Sequence, residues 1–270
     1  MSSTRRPLKS LGQNFLIDNN IIDKIIYSAD IKPEDFVLEI GPGRGALTEY
    51  LARKAGRLVL IEYDHALAAG LKERYADDPR VTVVDADILA VDLVDLLKDA
   101  VGWKVVANLP YNISTAVLFR LLEVRDRLAR MILMLQKEVG DRLVAAPDCA
   151  DYGVTTVLLG LWFDMRREFI VSPGCFHPRP KVDSAVLSFV PLPGQRVPVG
   201  DEAVFRRVVK GAFAMRRKTL INCLKAAELT TIEDLRAILA ECGIDGQRRG
   251  ETLSLDEFAR LSRHLSGVNR

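Results

Sequence analysis

A chain of 270 residues with 49% hydrophobic and 27% charged residues can bury one sizeable core and a smaller one, which excludes a disordered segment or a small stapled module. The formal net charge of +2 conceals an uneven distribution: seven Lys/Arg and no acid fall between Arg206 and Lys225, three more bases open the chain, and the remainder is net acidic. Four cysteines without a C-x-x-C pair, no secretory leader and no apolar run near the ~20 residues of a membrane span point to a reducing, cytoplasmic setting, with neither a disulfide framework nor a structural zinc site.

Asp18 is placed to cap a helix running to Ala29, with Ile21, Ile22, Ile25 and Ile26 on one face. Phe36–Ile40 reads as a buried strand, followed by a glycine-rich loop, a helix over Ala46–Lys54, a strand over Arg57–Ile61, a helix over Ala66–Tyr75 and a strand over Val81–Val84. The alternation continues with a strand over Trp103–Ala107 ending on Asn108, a helix over Ser114–Glu123 and a strand over Met131–Leu135. Val154–Phe163 fits either a helix or a buried strand and is taken as helix, while Phe169–Val171 and Ala185–Val190 read as a late hairpin pair. Strands and helices in this order predict a doubly wound α/β sheet with its ligand at the carboxyl ends of the strands.

Three prolines in the eight residues from Pro191 to Pro198 mark a linker. The domain division expected is therefore 1–198 for the sheet domain and 199–270 for a small all-helical one. In the latter, Phe205, Val208, Val209 and Ala212 recur at helical spacing, with Arg206, Arg207 and Lys210 on the opposite face and Arg216, Arg217 and Lys218 beyond. A basic face beside an acidic body is the footprint of polyanion binding, although like-charge runs are often only solvated faces.

Two motifs carry chemistry. Glu39-Ile40-Gly41-Pro42-Gly43-Arg44-Gly45 lies between a strand and a helix, and Glu62 ends the next strand. Glycines such as Gly41 and Gly43 let the backbone pass close under a ligand, and an acid at the second strand tip accepts from ribose hydroxyls. The glycines do not follow G-x-G-x-x-G, and Glu39 stands where a carboxylate meets a cationic amino group; the loop is similar to the S-adenosylmethionine loop of Rossmann-like class I methyltransferases. On that footing Asp87, or by register Asp85, accepts from the adenine amino group of the cofactor.

The second motif is Asn108-Leu109-Pro110-Tyr111 at the end of the fourth strand. An exocyclic amine on a base has its lone pair delocalised into the ring, so alkylating it calls for fixed acceptors that draw the nitrogen toward tetrahedral geometry. The Asn108 side-chain oxygen and the Leu109 carbonyl, restrained by Pro110, supply two, and Tyr111 offers a ring for a base taken out of its stack. Further on, the proline-stiffened loop Phe176–Ala185 offers Phe176 as a second wall for that base. With three histidines and no Gly-x-Ser-x-Gly, a hydrolytic triad is disfavoured.

Together with Leu11-Gly12-Gln13-Asn14-Phe15-Leu16 and Ala212–Leu220, these motifs resemble the small-subunit rRNA adenine dimethyltransferases, relatives of the erythromycin-resistance methyltransferases, over nearly the whole chain. The resemblance implies S-adenosylmethionine as cofactor, with Asn14, Leu16, Gly41, Glu62, Asp87 and Asn108 at cofactor-contacting positions. It also implies, as substrate, two adjacent adenines in a hairpin loop near the 3' end of small-subunit rRNA, each dimethylated; whether as naked rRNA or in an assembling pre-30S subunit is left open by the sequence. A monomer is expected, with the basic helical domain holding RNA phosphates. Met215 departs from the Gln of many relatives and reads as a surface or packing substitution. A large-subunit methyltransferase is disfavoured by the Ala212–Leu220 run and by Leu109; a non-catalytic RNA-binding factor would have no need of Glu62, Asp87 and Asn108.

Overall fold

The computed structural model describes residues 13–268; Leu11, Gly12 and the three bases that open the chain lie outside the described residues. Its elements in chain order are β1 (Phe15–Leu16), α1 (Asn19–Ala29), β2 (Phe36–Ile40), α2 (Thr48–Lys54), β3 (Arg57–Glu62), α3 (His65–Arg74), β4 (Val81–Asp85), α4 (Leu93–Leu96), β5 (Trp103–Asn108) and α5 (Ser114–Glu123). There follow β6 (Leu128–Gln136), α6 (Lys137–Leu143), α7 (Val154–Gly160), β7 (Phe163–Val171), β8 (Phe176–His177), β9 (Ser184–Pro191), α8 (Glu202–Phe213), α9 (Leu220–Ala226), α10 (Ile232–Glu241) and α11 (Leu255–Val268).

Seven strands form one sheet in the order β4-β3-β2-β5-β6-β9-β7, and β1 pairs antiparallel with β8. From β2 the chain winds outward through β3 and β4, then returns to the other side of β2 as β5 and β6, all parallel. The reversal leaves a crevice at the carboxyl ends of β2 and β5, where open α/β sheets bind their ligands. β9 runs antiparallel to β6. The arrangement is the Rossmann-like sheet expected. Its central strands are buried, with Val37, Leu38 and Ile40 of β2 and Val105, Val106 and Ala107 of β5 shielded from solvent, as strands covered on both faces require. On α1, Asp18 accepts from the Ile21 N–H, and Ile22, Ile25, Ile26 and Ala29 are buried; Ile21 is only half-buried.

Among the departures from the sequence reading, three have a clear physical cause. α2 begins at Thr48 rather than Ala46, because Gly43 (φ +59°) and Gly45 (φ +86°) hold the preceding loop in left-handed backbone that no α-helix contains. β7 is nine residues long, not three: it is one of the sheet's two edge strands, and the exposed Asp164, Arg166 and Arg167 are the charges an edge carries against mispairing. The segment Val154–Phe163 splits, with helix to Gly160 and the start of β7 at Phe163.

The chain divides into two compact units, residues 1–140 with 164–191 and residues 141–163 with 192–270, so a single cut at 198 does not describe it. The segment 141–163 belongs with the later helices for a packing reason. α7 buries Val157, Leu158 and Leu159, Tyr152 meets Phe213 edge-on at 5.9 Å, the Asp148 N–H donates to the Glu251 carbonyl at 2.8 Å, and Arg196 Nε donates to the Gly160 carbonyl at 2.9 Å. Within this helical unit α8 is capped by Asp201, buries Phe205, Val208, Val209 and Ala212, and leaves Arg206, Arg207 and Lys210 exposed.

Candidate active site

The crevice opens into a cavity of about 600 Å³ in the sheet unit, lined from four directions: the 13–17 segment, the glycine loop, the tips of β3 and β4, and the Asn108–Ile113 loop. Gly41 (φ +66°) comes close enough to β5 that a Cβ would lie 3.9 Å from the Asn108 carbonyl. At Gly43 (φ +59°) a Cβ would lie 3.0 Å from the Phe15 ring, so a larger residue would push the 13–17 segment off the loop and strain the left-handed backbone. The Arg44 guanidinium stacks over the other part of this contact, 4.5 Å from the Phe15 ring centre.

Glu62, 6% exposed, ends β3 and ties the loop down: its carboxylate accepts from the Gly43 N–H (2.9 Å) and the Asp64 N–H (2.9 Å). Burial raises its pKa, and these two N–H groups oppose the rise. The Tyr63 N–H adds to this pull, and the carboxylate, with about four acceptor positions, retains capacity for a ligand hydroxyl. Glu39, 2% exposed on β2, accepts from the Thr48 hydroxyl at 2.7 Å. Burial pushes its carboxyl up to about 8, against the pull of Thr48 and with a further push from the Glu62 charge. A desolvated carboxyl at a cavity wall is stabilised as its anion by an incoming cation.

At the tip of β4 two acids lie close in sequence and apart in role. Asp85 is held by His65 Nδ1 at 2.6 Å and does not line the cavity; Asp87 lines it, its carboxylate accepting from the Leu89 N–H at 2.9 Å. Tyr63, which follows Glu62, and Ile88, which follows Asp87, also line the cavity; the sequence reading passes over them, although neighbours of acids at strand tips are a usable signal.

On β5, Asn108 Nδ2 donates to the Asn14 carbonyl at 3.0 Å. A carbonyl only accepts, so the amide nitrogen must occupy this side, and Oδ1 is left as an acceptor. The Leu109 N–H donates to the Met134 carbonyl (3.1 Å), fixing the peptide beside it, and Ile113 N–H to Pro110 carbonyl (3.2 Å) closes a turn. Tyr111 is half-buried, its hydroxyl 2.7 Å from Ser184 Oγ. Asn14, Leu16, Gly41, Gly43, Glu62, Asp87 and Asn108 thus meet around one cavity, together with Leu109, Pro110 and Tyr111.

Phe176 departs from its expected place as a base wall. It is 3% exposed, paired opposite Leu16 in the β1–β8 ladder, and packed in the core with Leu16 and Val171 rather than lining the cavity. In the helical unit all six basic residues singled out, Arg206, Arg207, Lys210, Arg216, Arg217 and Lys218, are exposed. Arg216 is partly engaged, donating to the Ala150 carbonyl and lying 3.8 Å from Glu251. Among the described residues no cluster of His, Cys, Asp and Glu is placed to hold a metal ion, and no helix is long and apolar enough to cross a membrane.

The sequence pattern of the family described as "Ribosomal RNA adenine dimethylase" matches residues 5–266. The "Ribosomal RNA small subunit methyltransferase A" of Geobacter metallireducens is 59% identical over 266 residues, 97% of each chain, and that of Clostridium acetobutylicum 42% identical over 254 residues, 94% of this chain and 92% of the other. Among solved structures, a dimethyladenosine transferase from Plasmodium falciparum aligns with a TM-score of 0.82 at 25% identity, covering 94% of this chain and 98% of that one. The 23S rRNA methyltransferase ErmE aligns with a TM-score of 0.69 at 26% identity, covering 94% and 100%.

Proposed function

The chain belongs to the ribosomal RNA adenine dimethylase family, and from that premise we propose that it dimethylates the amino nitrogens of two adjacent adenines in the 3'-terminal hairpin loop of small-subunit rRNA, acting as a monomer on an assembling subunit in the cytoplasm. It is an S-adenosylmethionine-dependent methyltransferase. The observation that carries the finer reading is the meeting of the glycine loop, Glu62, Asp87 and the Asn108–Tyr111 loop around one cavity at the sheet's reversal point. The relatives named for the small subunit favour that substrate over the large-subunit one of ErmE.

The cavity's chemistry fits the cofactor. Positive-φ glycines let the loop backbone line the cavity, Glu62 offers acceptor capacity for a ribose hydroxyl, Asp87 an acceptor for an adenine amine, and Glu39 a carboxyl that gains from a cationic neighbour. Tyr63 and Ile88 supply apolar walls for the adenine ring, and Asn14 and Leu16 close the cavity from the N-terminal side. When bound, the cofactor supplies an electrophilic methyl group on a sulfonium sulfur. The target adenine, unstacked against Tyr111, presents its amino nitrogen to Asn108 Oδ1 and the Leu109 carbonyl. These acceptors are fixed before reaction by the Asn14 and Met134 contacts, so they stabilise the positive charge that develops on the nitrogen without reorganising. The nitrogen becomes acidic as it gains charge, and its proton passes to water; no side-chain base is required. Arg206, Arg207, Lys210, Arg216, Arg217 and Lys218 form the RNA-phosphate face of the helical unit.

The test is to incubate the purified protein and labelled S-adenosylmethionine with unmethylated small subunits and with naked rRNA, and to map the product by mass spectrometry. Dimethyladenosine at two adjacent 3'-hairpin positions is expected; label confined to large-subunit rRNA, or none in either substrate, refutes the reading.

A further inference from the structure

We propose that Ser184 is a positioning residue for methyl transfer, holding the Tyr111 ring as a fixed wall for the target base. The inference rests on the reading that Tyr111 stacks that base. Tyr111 sits on a loop, where a ring would otherwise sample several rotamers, yet it is held at both ends. Its carbonyl accepts from Ser114 Oγ (3.2 Å), and its hydroxyl lies 2.7 Å from Ser184 Oγ. Ser184 is fully buried and opens β9 directly opposite Gln136 of β6. The Lys137 N–H donates to the Asp183 carbonyl at 2.9 Å just before it, so the anchor belongs to the sheet and not to a loop. The tyrosine hydroxyl is engaged away from the chemistry, and burial keeps it protonated. Its use is mechanical: the ring face is left for the base, and the rotamer is chosen in advance.

The test is a double-mutant cycle in the full-length enzyme with Ser184→Ala, Tyr111→Phe and the pair, plus Tyr111→Ala as a reference. The readouts are single-turnover methyl transfer to unmethylated small subunits at saturating cofactor, S-adenosylhomocysteine affinity, the pH–rate profile and Tm. Each anchor variant should slow transfer about two- to twelvefold, the worth of one neutral hydrogen bond. The pair should be no slower than the slower single variant, with cofactor affinity and the shape of the pH profile unchanged. A purely structural Ser184 would lower Tm without slowing transfer in the folded enzyme. Wild-type rates for Ser184→Ala, or multiplicative losses in the pair, overturn the anchor. If Ser184→Ala does not fold, Tyr111→Phe decides from the other end, a wild-type rate overturning the proposal. Tyr111→Ala separates the two ideas: a wild-type rate there removes base stacking itself, whereas a slow Tyr111→Ala beside a normal Ser184→Ala removes only the anchor.

Discussion

Replacing Asn108 by alanine removes two atoms with different tasks, and the structure assigns a size to each loss. Nδ2 donates to the Asn14 carbonyl at 3.0 Å, and Asn14 forms part of the cofactor cavity. A neutral hydrogen bond contributes about 0.5–1.5 kcal/mol, so S-adenosylhomocysteine should bind about two- to twelvefold more weakly. Oδ1 is the acceptor read as facing the target amine, and loss of one preorganised group of this kind slows the chemical step by about a hundred- to a thousandfold, or about 3–4 kcal/mol. Asn108→Asp separates the two further. It keeps an acceptor toward the amine but sets a carboxylate oxygen against the Asn14 carbonyl, so it should lose more cofactor affinity than alanine does. Calorimetry with S-adenosylhomocysteine and rapid-quench transfer at saturating cofactor measure the two effects independently. A rate for Asn108→Ala within tenfold of wild type, once cofactor is saturating, would refute the electrostatic account.

Glu62→Ala should weaken S-adenosylhomocysteine binding by about 2–4 kcal/mol, since it deletes a charged acceptor pair and frees the Gly43 and Asp64 N–H groups that shape the loop; unchanged affinity in calorimetry would place the ribose elsewhere. Because burial holds the Glu39 carboxyl at about 8, the folded protein keeps a proton between about 4.5 and about 8 that the unfolded chain has lost, and stability should fall as pH rises through that window. Urea melts should show this slope flattened in Glu39→Gln. Calorimetry in buffers of different ionisation heat should detect a proton released when S-adenosylhomocysteine binds near neutral pH. Changing Arg216, Arg217 and Lys218 together to alanine should spare cofactor binding, weaken RNA binding and flatten its salt slope by about 0.7–0.9 per lost phosphate contact; an unchanged slope would make the patch a solvated face.

The fold and most of the cavity were legible in the chain because their requirements are local. A strand that runs straight into glycines at 41, 43 and 45, an acid at the next strand tip and an Asn-Leu-Pro-Tyr turn after the fourth strand each encode their own backbone, and strict alternation of strand and helix leaves few topologies. What the sequence left open turned on partners distant along the chain. Asp85 and Asp87 are equivalent by register until His65 takes the first and the cavity wall the second. Asn108 meets Asn14 across 94 residues and Tyr111 meets Ser184 across 73, so neither amide orientation nor ring anchoring has a signature in local spacing. Phe176 reads as a candidate wall from its proline-rich loop, but pairing of β8 with β1 takes it into the core. The segment 141–163 lies between sheet strands in sequence yet packs with the later helices, because the apolar face of α7 is buried there. Periodicity tells that a face must be covered; only tertiary structure decides by what.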